Sequence, residues 1–421
     1  MAHTSLSAAK KAKNDEFYTQ YNDIEAEMNA YVEFNPDVFR GKTILLPCDD
    51  PEWSNFTKYF AANFERFGLK KLISTSYAKS AGNGRLTSFE RESPLFDESK
   101  HGTHGKLFTL TSDKDGSGRV DGDDIEFSGY LEGDGDFRSA EVTALRDEAD
   151  IIITNPPFSL FREFLAWIMT ADKRFVIVGS TNAITYKEVF PLLKDNRIWI
   201  GTTVPKEFII PATITERKNT YIREDGTVIA KFGNICWFAN IDHGLRHQPL
   251  LLDTMAHNLK FNKKLKRKLE KDYGKLEYPH YDNYDAIEVP FTECIPSDYD
   301  GIMGVPITFM DKYDPDQFEI VAFRKGEDGK DLVFTREREF NRTFVSLYDG
   351  DSVDDKKRRR QDKWENYISQ NHGKAQIEPI DMFFPNSMAI GGCMNNPRDT
   401  AIDGKKKYAR ILIRKKGDAS E

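Results

Sequence analysis

The chain has 421 residues, more than the roughly 250 to 300 at which a single hydrophobic core stops growing, so two domains are expected. Hydrophobic residues make up 39%, charged residues 30% and aromatics 12%, which excludes wholesale disorder, and no apolar run approaches the roughly 20 residues needed to span a bilayer. The net charge of −8 means that any affinity for nucleic acid must come from local basic patches.

The opening "MAHTSLSAAKKAK" lacks the apolar centre of a secretion signal, so a cytoplasmic location is expected. Cys48, Cys236, Cys294 and Cys393 are too scattered for a zinc site or a small disulfide framework and read as reduced thiols.

In chain order, "KTILLPCDD" (42–50) reads as a buried strand ending in a turn. "PEWSNFTKYFAANFERFG" (51–68) follows as an amphipathic helix, with Trp53, Phe56, Phe60, Phe64 and Phe67 three and four apart between Pro51 and Gly68. "LKKLISTSY" (69–77) completes a βαβ unit and predicts a parallel sheet with helices on its faces. "DKDGSGRVDGDD" (113–124) has the spacing of a calcium loop, but the flanking "KLFTLTS" and "IEFSGYL" alternate like strands, so a polar hairpin tip is expected and no metal. The histidines of "HGTH" (101–104) are read as ordinary loop residues. "ADIIITN" and "RFVIVGS" are further strands, and between them "SLFREFLAWIM" carries Leu160, Phe161, Phe164, Leu165 and Ile168 on one helical face.

This alternation predicts a doubly wound, Rossmann-like α/β fold whose ligands bind beyond the carboxyl ends of the strands. A catalytic domain is placed at 1–245. The more polar, Tyr-rich and basic remainder, 246–421, is placed in a second domain, with an inserted segment around 333–404. Three basic runs stand out, at 260–275, 356–363 and 405–416. Each reads equally as a solvated helix face or a phosphate contact.

Two strand ends are chemically unusual. In "IIITNPPFSLF" (151–161) the prolines cannot donate to a ladder, so the strand stops at Asn155. Such a corner suits an exocyclic amine whose lone pair is delocalised into a base, as in adenine. The Asn155 side-chain oxygen and the Pro156 carbonyl are two acceptors for its N–H groups, and engaging both frees the lone pair for attack. Pro157 restricts Pro156 to extended backbone, which fixes that carbonyl in advance, and Phe158 offers a flat face for the base. The electrophile that fits is the methyl of S-adenosylmethionine. The plain alternative is a stiff connector with Phe158 as a core plug and Ser159 as a helix cap.

The sequence resembles the EcoRI family of adenine-specific DNA methyltransferases. The resemblance rests on "DEFYTQY" (15–21), "CDDP..SNF.KYFA.NF...GLKKLI" (48–73), "GDGDFRS" (133–139), "TNPPFSLFRE" (154–163), "ITYKEVF" (184–190), "YDNYDAI" (281–287) and "GVPITF" (304–309). Cofactor corner first, catalytic corner second and target-recognition region last is the gamma order of amino-methyltransferases. The resemblance implies that Phe17, Tyr18 and Thr19 close over the methionine end of the cofactor and that Cys48, Asp49 and Asp50 form its first loop, where the two aspartates meet the cofactor's ammonium group. Helix capping is the other role open to the two aspartates. It further implies that Asp136 accepts from the cofactor's adenine amine while Phe137 packs on its ring, with a plain Gly-rich turn as the alternative.

Two features depart from the family's fold. The first loop has no glycine, and "STSY" ends the second strand without a carboxylate for the ribose, leaving Ser74, Ser76 or another loop. An amine inside duplex DNA cannot reach such a pocket, so the target base must swing out of the stack. Lys263, Lys264, Lys266, Arg267 and Lys268 are the leading phosphate contacts to double-stranded DNA. The resemblance implies either pairing with a restriction endonuclease or a stand-alone enzyme. RNA or protein-glutamine methylation, and a DNA-binding relative without cofactor, are the alternative readings.

Overall fold

The computed structural model describes residues 18–47, 49, 54–78, 86, 88–91, 93–210, 219–281, 284–323, 400–402, 405–407 and 409–417. The basic run at 356–363, and all of 333–404 except 400–402, lie outside them. The chain divides into two compact units, Met1–Gln248 and Pro249–Glu421.

The first unit opens with β1 (Tyr18–Thr19) and α1 (Tyr21–Phe34), followed by β2 (Thr43–Leu46), α2 (Asn55–Ala62), α3 (Phe64–Phe67) and β3 (Lys71–Thr75). The helix expected over 51–68 is therefore two helices, while Pro51 and Trp53 lie outside the described residues. Asn63 makes the break: its side-chain amide donates to the Tyr59 carbonyl at 2.9 Å, a local bond that competes with helix continuation. Ser54 starts α2 by accepting from the Phe56 amide at 3.1 Å.

Next come α4 (Ser88–Arg91), β4 (Lys106–Leu110), β5 (Glu126–Tyr130), α5 (Ala140–Glu148), β6 (Ile151–Thr154), α6 (Phe161–Thr170) and β7 (Arg174–Ser180). The unit continues with α7 (Phe190–Lys194), β8 (Trp199–Ile200), β9 (Glu207–Ile209), β10 (Thr220–Ile222), β11 (Val228–Lys231) and β12 (Ile235–Ala239).

Eight strands form one mixed sheet in the order β5-β4-β3-β2-β6-β7-β12-β8. The four central strands, β3, β2, β6 and β7, are parallel, and antiparallel pairs flank them, β4 on β3 and β12 on β7. Every residue of β2 and β6 is buried, which is why "TILL" and "IIIT" carry unbroken apolar runs, each with one threonine at one end, rather than alternating. In α6 the buried residues are Phe161, Phe164, Leu165 and Ile168, the stripe expected from their spacing. The chain leaves β2 towards β3 on one side and returns as β6 on the other, so the carboxyl ends of β2 and β6 lie side by side. A smaller antiparallel sheet, β1-β9-β11-β10, includes the Tyr18–Thr19 strand.

The loop between β4 and β5 is the tip of an antiparallel pair. Its carboxylates serve the loop's own amides: Asp124 accepts from Lys114, Asp115 and Asp121, and Asp113 from Gly116 and Gly118.

The second unit contains α8 (Met255–Phe261), α9 (Lys263–Tyr273), β13 (Ala286–Glu288), β14 (Ile302–Pro306), β15 (Phe318–Ala322), β16 (Ala401–Ile402), β17 (Lys405–Lys406) and β18 (Arg410–Lys415). Four of these strands form a sheet ordered β13-β14-β18-β15, with β13 parallel to β14 and the other pairs antiparallel. Buried Glu288 on β13 takes a two-pronged bond from Arg410 on β18, at 2.7 to 3.0 Å, and a third bond from the Tyr281 hydroxyl. Among the described residues no helix is long and apolar enough to cross a membrane.

Candidate active site

Four segments meet at the carboxyl ends of β2, β3 and β6. Beyond β2, Asp49 is buried, and both of its carboxylate oxygens accept from side chains of the protein. Oδ1 takes the Ser54 hydroxyl at 2.6 Å, and Oδ2 lies 2.6 Å from the Thr154 hydroxyl, which is also 2.9 Å from the Pro47 carbonyl. Thr154 is the last residue of β6, so Asp49 brackets the two unusual corners together. The Asp49 carbonyl accepts from Thr57 at 3.0 Å and from Ser74 on β3, bringing in the third strand end.

Beyond β6, Asn155 is half-buried, Pro156 is buried, and Pro157 and Phe158 are half-buried. Pro157 has φ −55° and ψ 122°, and its carbonyl accepts from the Leu160 amide at 2.9 Å, closing the short turn that leads into α6. Among the described residues the Pro156 carbonyl accepts no hydrogen bond. Phe158 packs one side of its ring on the core.

The loop carrying Asp136 is pressed against the end of β3. Ala78 donates to the Asp134 carbonyl at 2.7 Å, and Gly135 sits at φ +81° where a Cβ would run into the Ser76 carbonyl, so glycine is required on both counts. Asp136 is half-buried and takes a two-pronged ion pair from Arg138, at 2.9 and 2.6 Å, while Arg138 also reaches Glu163 on α6 at 2.9 Å. Phe137 is buried, its ring centroid 5.0 Å from Phe164 and 5.6 Å from Trp167, which makes it the anchor of this loop on α6.

Ser74 and Ser76, the two serines considered for the ribose, both serve the protein itself. Ser74 holds Asp49 and Thr57, and Ser76 accepts from the Lys106 amide at 3.1 Å. Next to Ser76 lies a buried ion pair, Lys106 to Glu90 at 2.6 Å, to which Tyr130 donates at 3.0 Å. The Thr19 carbonyl accepts from the Asn55 side chain at 2.7 Å, which brings the end of the N-terminal strand to the first turn of α2. Tyr18 is half-buried in β1. Phe17, Cys48 and Asp50 lie outside the described residues. The bracketing roles of Thr154 and Ser54, and the Arg138 clamp, were not read from the sequence; the only local signal was Ser54 at a helix start.

The phosphate candidates all lie on α9, in the second unit. Leu265 and Leu269 face inward, and six of the helix's eleven residues are Lys or Arg. Lys264 pairs with Glu293 and Lys268 with Asp272, each at 2.8 Å. Lys263, Lys266 and Arg267 make no ion pair among the described residues, and Lys263 and Arg267 are exposed. "YDNYDAI" and "GVPITF" meet in the same unit, where the Tyr281 hydroxyl fills the space beside Gly304.

Comparison with known proteins finds relatives over most of the chain. The chain is 44% identical over 333 residues to the Type II methyltransferase M.EcoRI of Escherichia coli, covering 78% of this chain and 91% of that protein. It is 32% identical over 321 residues to the Type II methyltransferase M.MpnI of Mycoplasma pneumoniae, covering 75% of this chain and 84% of the relative. Against the Type II methyltransferase M.MgeORF184P of Mycoplasma genitalium the identity is 33% over 321 residues, with coverage of 75% and 85%. No solved structure matches the chain. The family model described as adenine-specific methyltransferase EcoRI matches residues 5–416, and the chain belongs to that family.

Proposed function

We propose that this adenine-specific methyltransferase takes its methyl group from S-adenosylmethionine and delivers it to the N6 amine of an adenine swung out of a specific sequence in duplex DNA. The observation that carries the reading is the Asn155–Phe158 corner, held at the carboxyl end of β6 by the Thr154–Asp49 bond, next to the point where the chain switches sides of the sheet. In this reading the first unit is a doubly wound, Rossmann-like methyltransferase domain and the second unit is the target-recognition region.

The donor set fits the cofactor. Asp136 is oriented by Arg138, whose backbone amide and guanidinium both donate to it, and in this reading it accepts from the cofactor's adenine amine. Asp49 shapes the first loop from within, with its charge buried beside the corner, and Phe137 supports the Asp136 loop from beneath. Tyr18 and Thr19 sit on the strand that Asn55 ties to α2; the cofactor roles of Phe17, Cys48 and Asp50 rest on the family resemblance alone. When bound, the cofactor supplies an electrophilic methyl group.

The chain's own groups prepare the nucleophile. The Asn155 side-chain oxygen and the Pro156 carbonyl accept the two N–H groups of the adenine amine, which draws the nitrogen towards tetrahedral geometry and frees its lone pair. Pro156 and Pro157 fix that carbonyl before the base arrives, and the Phe158 ring takes the face of the base. The amine loses its proton readily once alkylated, so no strong general base is needed. Lys263, Lys266 and Arg267, helped by Lys264 and Lys268, contact DNA phosphates.

Transfer of tritiated methyl from S-adenosylmethionine, run side by side on duplex DNA, RNA and a release-factor peptide, tests the reading. Label in N6-methyladenine of the duplex alone is expected. Label confined to RNA or peptide, or no cofactor binding by calorimetry, overturns it.

A further inference from the structure

α8 and α9 meet at Asn262, and this junction presents an aromatic ring to solvent among cations. Phe261, the last residue of α8, is 57% exposed, and it is not an isolated surface phenylalanine. The His257 ring lies 4.5 Å from it and the Lys260 ammonium 5.0 Å over it. A second ring, Phe291, carries the Lys264 ammonium at 3.9 Å. Lys263 and Arg267, one helical turn apart on α9, extend the positive surface.

The backbone corner that carries the ring is held in place. Asn262 accepts from the Leu265 amide at 2.9 Å to start α9 and donates to Cys294 Sγ at 3.2 Å, so the corner after Phe261 is pinned to the body of the unit. Leu265 and Leu269 anchor the helix behind it. A rigid ring loses little freedom on contact, and the charge around it selects a polyanion that also has flat apolar faces, a description that fits nucleic acid.

We propose that Phe261 contacts DNA directly, stacking on a base or sugar exposed in the duplex while Lys260, Lys263 and Arg267 hold the adjoining phosphates. The proposal rests on the reading of the chain as a DNA methyltransferase and adds an apolar contact to the duplex beside the phosphate contacts. Stacking of this kind is sequence-tolerant and contributes affinity that counterion release does not.

The test is titration of a fluorescent mixed-sequence duplex with the full chain and with the Phe261→Ala, Phe261→Tyr and Lys263→Gln variants, over a range of salt. Phe261→Ala is expected to bind about tenfold more weakly with an unchanged salt slope, whereas Phe261→Tyr keeps the affinity and Lys263→Gln flattens the slope. In parallel, Phe261→Trp should show quenching on adding duplex, but not on adding heparin, relative to the parent chain with its five tryptophans. Parental affinity in Phe261→Ala, or equal quenching by heparin, overturns the stacking role even when methyl transfer to DNA is intact. A parent chain that binds no duplex overturns the functional reading and this inference together.

Discussion

The Thr154 hydroxyl and the Asp49 carboxylate, 105 positions apart in sequence, meet at 2.6 Å and lock the residue before Asn155 to the turn that follows β2. Both groups are buried, so the bond is worth more than a surface contact, and removing one partner leaves the other unsatisfied. Thr154→Val should lower stability by about 1 to 2 kcal/mol. It should also reduce turnover by about tenfold, because Asn155 loses its fixed neighbour. A cycle with Asp49→Asn, followed by urea unfolding and by methyl transfer, checks the coupling. Strictly additive effects in both readouts would refute the bracket.

Asn155→Ala should keep cofactor affinity and lose about 100-fold to 1000-fold in turnover, since the lost acceptor acts mainly in the transition state. Calorimetry with S-adenosylmethionine and single-turnover methylation separate the two quantities. Asn155→Asp keeps an acceptor and should retain more activity than the alanine variant. Near-normal turnover in Asn155→Ala would remove this side chain from the chemistry.

Much of the first unit is legible in the sequence because buried parallel strands carry near-continuous apolar runs and their helices are periodic. "TILL", "IIIT" and the Phe161–Ile168 stripe announce themselves without knowledge of their neighbours. Roles that depend on a distant partner do not. Nothing local to Asp49 says that Thr154 takes one of its oxygens, or that Arg138 holds Asp136 while Glu163 holds Arg138. The hairpin of β4 and β5 reads from its alternation and polar tip, but the antiparallel placement of β4 on β3 and of β12 on β7 does not, since strand direction is set by connections rather than by composition. In the second unit β18 enters the sheet between β14 and β15 from the far end of the chain, a pairing no short-range pattern reveals.

The cations of α9 are not equivalent. Lys263→Gln and Arg267→Gln should each reduce the slope of log affinity against log salt by about 0.9, one released counterion apiece, because neither side chain makes an ion pair among the described residues. Lys268→Gln and Lys264→Gln should change it less, since Asp272 and Glu293 already neutralise them. Fluorescence anisotropy of duplex binding over a salt series reads the slopes. Equal effects at all four positions would show that the internal pairs open on binding.

His243 should make the first unit acid-sensitive. Its ring is buried and its Nε2 lies 3.0 Å from the Ile200 carbonyl, so Nε2 carries the proton of a neutral imidazole. Burial, reinforced by the nearby Arg246, lowers its pKa to about 4. The unfolded chain takes up this proton first as pH falls below about 6.5, so stability is lost between about pH 6.5 and 4 and levels off below. At pH 5 the loss from this residue is about 2 kcal/mol. Urea unfolding at pH 7 and pH 5 measures it, and His243→Gln should shrink the difference. An unchanged difference would assign the acid sensitivity elsewhere.

Gly304 and Tyr281 join two motifs of the second unit. A Cβ on Gly304 would occupy the space of the Tyr281 hydroxyl, and that hydroxyl cannot withdraw cheaply because it donates to buried Glu288, itself held by Arg410. Gly304→Ala should therefore destabilise this unit by about 1 to 3 kcal/mol through overpacking, far beyond the effect of an added methyl on an open strand. Tyr281→Phe removes the oxygen that clashes, at the expense of one bond to Glu288. Combined with Gly304→Ala it should recover part of the loss, so that the double variant is more stable than the sum of the two single changes. Chemical denaturation of the four proteins reads this directly. A double variant no better than that sum would mean that the strand backbone, and not the tyrosine, sets the requirement for glycine.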